Sequence, residues 1–260
     1  ETGTVLLFVR SAQEAQRLQR ELTKALGRGG EQRVGLFTGT LRGHERQALT
    51  ESTLWRHFTD PQGAGTPAEP IYLIATAAGE VGVDLDADHL VMDLAPMDAV
   101  IQRLGRLNRA GRHAASSVAI VYTPKEIQYR PEKVEQDAKH RYAAACERAL
   151  ALLQERERLA PSDLLAIPAE TLAEAASPRP RSAPLSAERL ELLTATSAGI
   201  ELPPVAPYLR GIADEPEPPE VQLLWRHDLT QLLTLGGAEA AHEALTLLPP
   251  RPREGLKAPL

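Results

Sequence analysis

The sequence predicts an α/β fold, a parallel sheet with helices on both faces, followed by a mainly helical, Pro-rich accessory region. Two observations carry this. Short apolar runs alternate with helix-like segments through the first half of the chain, the pattern of a parallel sheet covered on both sides. Only six of the 21 prolines precede residue 160, so the later half is interrupted by extended stretches in a way that the first half is not.

The elements follow in order. Thr4 to Arg10 (TVLLFVR) is apolar and short enough for a buried strand. Ser11 with Glu14 three positions on has the form of a capping box. Ala15, Leu18, Leu22, Ala25 and Leu26 share one face of the helix that it starts, and Gly27 ends it. Arg33 to Phe37 is a second strand, Gly43 to Phe58 a helix, and 59–70 a Gly/Pro-rich loop. Ile71 to Ala75, His89 to Asp93 and Ser117 to Tyr122 are three more strands, with a helix from Met97 to about Leu107. Pro131 opens a long helix to about Leu159, with Val134, Ala138, Tyr142, Ala145, Ala149 and Leu152 on one face. The expected organisation is a sheet domain over 1–125 and a long helix over 126–160, packed on that domain or extending from it. A Pro-rich linker with a small helical element follows over 161–220. The start of an incomplete further region occupies 221–260, where Val221, Leu223, Leu224 and Trp225 read as a strand.

Composition narrows the function. At 43% hydrophobic and 25% charged the chain is of globular type. A formal net charge of −6 argues against coating nucleic acid by bulk charge and leaves room for a local phosphate site. The single Cys146 excludes a disulfide framework or a cysteine-rich zinc site and fits a reducing compartment. No apolar run reaches the roughly 18–20 residues that a membrane span needs. The chain starts at Glu1 without an initiator Met or a signal peptide, and is expected to be a piece of something longer.

Two segments carry chemistry. Ala75 to Leu85 (ATAAGEVGVDL) follows a strand, where sheets of this class bind ligands. Its small residues and glycines let backbone amides approach a ligand, Thr76 can donate to a phosphate, and Asp84 can accept from a sugar hydroxyl. The segment equally suits a plain strand connection with Asp84 in a turn. In Asp93 to Arg112 (DLAPMDAVIQRLGRLNRAGR), Arg103, Arg106, Arg109 and Arg112 recur every three residues. In a helix they would form a drifting stripe, suited either to phosphate or to solvent. His227–Asp228, with His242 near it, lacks the converging acidic partners of a metal nuclease and reads as a chance pair.

Taken together, the two segments resemble the fifth and sixth motifs of superfamily 2 helicases, in the second RecA-like domain. The residues are Ala75, Thr76, Glu80, Gly82 and Asp84, then Gln102, Arg103, Gly105, Arg106 and Arg109. VLLFVRS resembles the fourth motif, and FTGTLRGHER (Phe37 to Arg46) the segment after it. DLAPMDAVIQRLGRLNR is similar to the CRISPR-associated helicase of type I systems, and QLLWRHDL (222–229) to segments of its I-U (I-G) variant.

The resemblance implies a RecA-like lobe of an ATP-dependent single-stranded DNA translocase that is recruited by a Cascade-type CRISPR effector complex in the prokaryotic cytoplasm, with no membrane involved. It implies Arg106 and Arg109 as arginine fingers to the γ-phosphate, with Gln102 positioning the phosphate or the attacking water. Asp84 would contact the ribose or bridge to the arginines, and Gly82, Glu80 and Arg103 would complete the nucleotide side. Thr76, Gly39, Thr40 and Arg46 would hold the DNA backbone. The sequence contains no G-x-x-x-x-G-K-[ST] and no D-E-x-[DH]. The phosphate loop and the Mg2+ ligands that accompany ATP are therefore expected in a separate N-terminal RecA-like domain, and this chain by itself is expected to lack ATPase activity and any metal site of its own. Two alternatives are a superfamily 2 motor acting on RNA or repair DNA, and a non-catalytic RecA-like binding domain.

Overall fold

Five parallel strands lie in the order β2-β3-β1-β4-β5: β1 (Thr4–Phe8), β2 (Val34–Phe37), β3 (Ile71–Ala75), β4 (His89–Asp93) and β5 (Ser117–Val121). The computed structural model describes residues 3–114, 116–179, 182–194, 205–209, 211–212, 220–224, 226–251 and 254–259. It divides into two compact units, Glu1–Thr123 with Pro219–Leu260, and Pro124–Pro218.

Register assigns the two faces of the sheet. Leu6 pairs with Leu73 and Leu90, and Phe8 with Ala75 and Met92, so these six share one face; Leu7 and Ile74 share the other. α1 (Ala12–Leu26) covers the second face, where Ala15, Val34 and Ile74 form a cluster packed by Leu7, Leu18, Leu22, Leu26 and Leu36. Ser11 caps α1, its Oγ accepting from Glu14 N at 3.2 Å. A short helix α2 (Gly30–Arg33) then leads into β2.

The first face is covered by α3 (Gly43–Glu51) and α4 (Thr53–Thr59). Here the single helix expected over Gly43–Phe58 is two. Ser52 breaks it, its Oγ donating to Leu49 O and accepting from Trp55 N, which closes one helix and caps the next. Leu54, Trp55 and Phe58 are buried beneath, and a side chain at Gly35 would strike Leu54 Cδ2 at 2.8 Å. The Gly/Pro loop holds a further turn, α5 (Pro61–Ala64), capped by Asp60.

α6 (Met97–Leu104) ends three residues before the expected Leu107. Past Gly105 the amides of Arg106 and Leu107 bond to carbonyls three residues back (Arg103 O, 2.9 Å; Leu104 O, 3.0 Å), so the chain tightens into turns before Asn108 takes the left-handed conformation at φ 46°. β5 closes the sheet with Ser117, Ala119 and Val121 exposed.

In the second unit, Pro131 opens only a 3-10 turn (Pro131–Lys133). The long helix is α7 (Ala138–Gln154), capped by Asp137, whose Oδ1 accepts from Lys139 N at 2.8 Å. A proline suits the first position of a single turn as well as that of a long helix, so Val134 precedes α7 and Ala138 is exposed. The buried face is Ala143, Ala144, Ala145, Cys146, Ala149 and Leu153. Short helices follow: α8 (Pro161–Leu165), α9 (Ala169–Glu174), α10 (Ala187–Thr194) and α11 (Ala206–Leu209).

β6 (Glu220–Leu224) pairs antiparallel with β7 (Gly255–Pro259), with α12 (His227–Leu247) between them in sequence, kinked at Gly237. The expected strand is present over Val221–Leu224, and Trp225 lies outside the described residues. Among the described residues no helix is long and apolar enough to cross a membrane.

Candidate functional site

The segment after β3 runs back across the sheet from its carboxyl edge to the start of β4, and the arginine tract after α6 runs beside it in the same direction. A parallel bridge between Ala87 and Leu107 joins the two, with Ala87 N donating to Arg106 O (2.9 Å) and Asn108 N to Ala87 O (2.8 Å). The four arginines are therefore not a helical stripe. Only Arg103 is in α6; the others follow it through turns and one bridge residue beside the 80–88 segment, which supplies acidic partners.

Arg103 is 5% exposed, and its guanidinium is engaged on both sides. Nε donates to Glu80 Oε1 (2.8 Å), and Nη1 donates to Asp93 Oδ1 (2.7 Å) and Asp93 O (3.0 Å). The guanidinium lies 5.3 Å from the Phe8 ring centre. Burial raises the Asp93 carboxyl above the usual aspartate range, against the opposing charge and hydrogen bond of Arg103. Arg103 thus ties the turn after β3 to the end of β4, across the end of β1.

Arg106 donates from Nη2 to Glu80 O (2.6 Å), and its Nη1 lies 4.0 Å from Asp84 Oδ1. Its Nε is buried without a hydrogen-bond partner. Burial, and then the positive charge of Arg109, push the Arg106 guanidinium below its ordinary value, which Asp84 partly offsets. Arg109 is 48% exposed and pairs through Nη1 with Asp84 Oδ1 at 2.5 Å; the Asp84 side chain is 78% exposed. Arg106 and Arg109 therefore converge on one carboxylate standing in solvent. Gly82, at φ 81°, provides the turn before it, and Gln102 is exposed on α6.

Further along, two carboxylates absent from the sequence expectations hold the tract. Asp86 accepts from the backbone N–H groups of Arg109 (2.8 Å) and Ala110 (3.2 Å). Asp88 accepts from Arg112 Nη2 (3.1 Å), Thr4 N (2.9 Å) and Thr4 Oγ1 (3.0 Å), with His113 Nε2 at 2.6 Å. Burial pushes the Asp88 carboxyl up, but the bonds from Thr4 and His113 and the charge of Arg112 outweigh it and hold the group below its usual range. Asp84, Asp86 and Asp88 alternate at every second position, the one signal in the sequence of an extended segment offering three acids to a neighbour.

A second group lies at the carboxyl ends of β2 and β3. Thr76 N donates to Phe37 O (3.2 Å), Thr38 and Thr40 share a hydroxyl contact at 3.0 Å, and the Arg46 guanidinium lies 5.3 Å from the Phe37 ring centre. Gly39, Thr40 and Arg46 are exposed, and Thr76 is half-buried. Among the described residues no group of three or more His, Cys, Asp or Glu is arranged to hold a metal ion.

Residues 1–112 match the family model described as the C-terminal region of the CRISPR-associated nuclease/helicase Cas3. This segment is Cas3-like. A stretch of 59 residues, 23% of the chain, is 44% identical to a provisionally assigned CRISPR-associated nuclease/helicase Cas3 of Myxococcus xanthus, and 69 residues, 26%, are 44% identical to the CRISPR-associated endonuclease/helicase Cas3 of Thermus thermophilus. The matches span only 8% and 7% of those two relatives' lengths. The fold is that of the crystal structure of T. fusca Cas3-ATP, at 21% identity and a TM-score of 0.51, over 62% of this chain and 19% of that one. The Cas3-like segment contains β1 through α6, the Arg106–Asp84–Arg109 group and the β2–β3 edge.

Proposed function

We propose that this chain supplies the second RecA-like lobe of an ATP-driven, single-stranded DNA translocase that works with a Cascade-type effector complex in CRISPR defence, in the prokaryotic cytoplasm. The observation that carries the proposal is the convergence of Arg106 and Arg109 on Asp84. Arg109 is half-exposed, its partner is more exposed still, and Arg106 keeps a buried Nε unpaired. A γ-phosphate meets both guanidinium groups as a stronger acceptor than one carboxylate. The structural relative named above is a Cas3–ATP structure, which supports ATP as that ligand.

In this reading a separate lobe holds ATP and Mg2+ through a phosphate loop and an acidic box, the motifs that this sequence lacks. Arg109 and Arg106 neutralise the charge that develops on the transferring phosphoryl group. Asp84 holds them until nucleotide arrives and is then free for the ribose. Gln102, exposed on the same helix as Arg103, orients the attacking water. Glu80 and Arg103 serve from behind: each engages the other, and their role is to fix the turn from which Arg106 is held. Gly39, Thr40, Thr76 and Arg46 contact the DNA backbone at the β2–β3 edge.

The test is Arg109→Ala in the full-length protein. DNA-stimulated ATP turnover should fall by about 10³-fold or more with DNA binding retained. Turnover equal to the unmodified protein's would overturn the reading.

A further inference from the structure

We propose that Asp86 is a positioning residue for Arg109: it holds the backbone that aims the arginine, without touching nucleotide itself. The inference rests on the reading above and adds a residue to it.

Asp86 is 7% exposed, and both its oxygens face the arginine tract. Oδ1 accepts from Arg109 N at 2.8 Å and Oδ2 from Ala110 N at 3.2 Å. Two successive amides on one carboxylate form a small anion-binding concavity whose anion is built into the chain. Asn108 at φ 46° precedes them and turns both N–H groups inward, while its side chain closes the loop through His113 O (2.7 Å) and His113 N (3.1 Å). Asp86 is fixed in turn: its N donates to Phe58 O at 2.8 Å, tying it to α4, and the next residue, Ala87, bridges Leu107. The Arg109 backbone is therefore referenced to the sheet and to α4, although its side chain stands in solvent. That combination suits a group that must meet a phosphate held elsewhere: a free tip on a fixed base.

Asparagine at position 86 keeps the size and shape but only one acceptor oxygen. Its amide N–H2 would face the Ala110 or the Arg109 N–H, donor against donor. In the full-length protein, Asp86→Asn is expected to lower kcat for DNA-stimulated ATP hydrolysis by about 10²-fold and to leave KM for ATP unchanged. In an Arg109→Ala background the same substitution should cost nothing further, because the residue acts through the arginine. A merely structural aspartate would lower activity equally in both backgrounds, and that outcome, or an unchanged kcat, overturns the proposal. If Asp86→Asn does not fold, Asn108→Gly tests the same base. Glycine accepts the positive φ but frees the turn, so kcat should fall in the native background and not in Arg109→Ala; equal kcat overturns the proposal. An Arg109→Ala protein with full turnover would instead sink the arginine-finger reading, which separates the two failures.

Discussion

Arg103 lies over Phe8, with the guanidinium carbon 5.3 Å from the ring centre, and the two together close the carboxyl edge of the sheet. The ring covers one face of the cation while Glu80 and Asp93 take its edges. Replacing Arg103 with Met keeps most of the volume but leaves two carboxylates facing each other with little water. The loss should be about 3–5 kcal/mol, read from denaturant unfolding. A variant as stable as the parent would show the ion pairs to be dispensable.

Acid should release the tract at Asp88. Its carboxyl is held below the ordinary range in the fold, so the unfolded chain binds the proton first. The stabilisation is complete above the unfolded value of about 3.9 and is lost as pH falls through the lower folded value. Asp88→Asn should therefore unfold more easily at neutral pH and show a flatter decline in acid. Urea midpoints measured down the pH scale would reveal this; parallel curves for the two proteins would contradict it.

Replacing Arg46 with Ala should weaken DNA binding without changing which sequences are bound. It is exposed at the β2–β3 edge, and one phosphate contact on a single strand contributes about 0.7 to the salt slope. Fluorescence anisotropy of the full-length protein with labelled oligonucleotides at several salt concentrations would measure the slope for Arg46→Ala. No change in slope would remove Arg46 from the DNA path.

The turn that carries Glu80 has no room for a larger residue. A Cβ at Gly79 would lie 2.9 Å from Ala75 Cβ and 3.2 Å from Phe8 Cε1. Gly79→Ala should cost about 1–3 kcal/mol, and thermal melting would check it. A neutral result would show that the turn can shift away from the strand ends.

The strands are legible in the sequence because Leu6, Phe8, Leu73 and Met92 fall in runs too apolar and too short for anything but buried extended chain. Helix ends are less legible, because single side chains or amides decide them. Ser52 serves two helices at once, Asp137 caps seven residues after Arg130, and past Gly105 the amides of Arg106 and Leu107 turn to carbonyls three residues back, which no periodicity reveals. The arginines stand out by their spacing, but a spacing of three suggests a helix where the chain is in fact paired with a neighbour. Asp86 and Asp88 escape notice because their partners in and just after the arginine tract lie 23 to 25 positions away, and Thr4 84 positions away, relations set only when these segments come side by side.

That side-by-side pairing has a consequence for how the gene can vary. Adding or deleting one codon within 80–88 or 103–112 would shift the acids on one side of the change relative to their arginines and break those pairs. The loop over 59–70 bears none of these pairs and should tolerate a change of length better, between the end of α5 and Glu69. Libraries of insertions should therefore leave the ten arginine-tract positions blank while filling that loop.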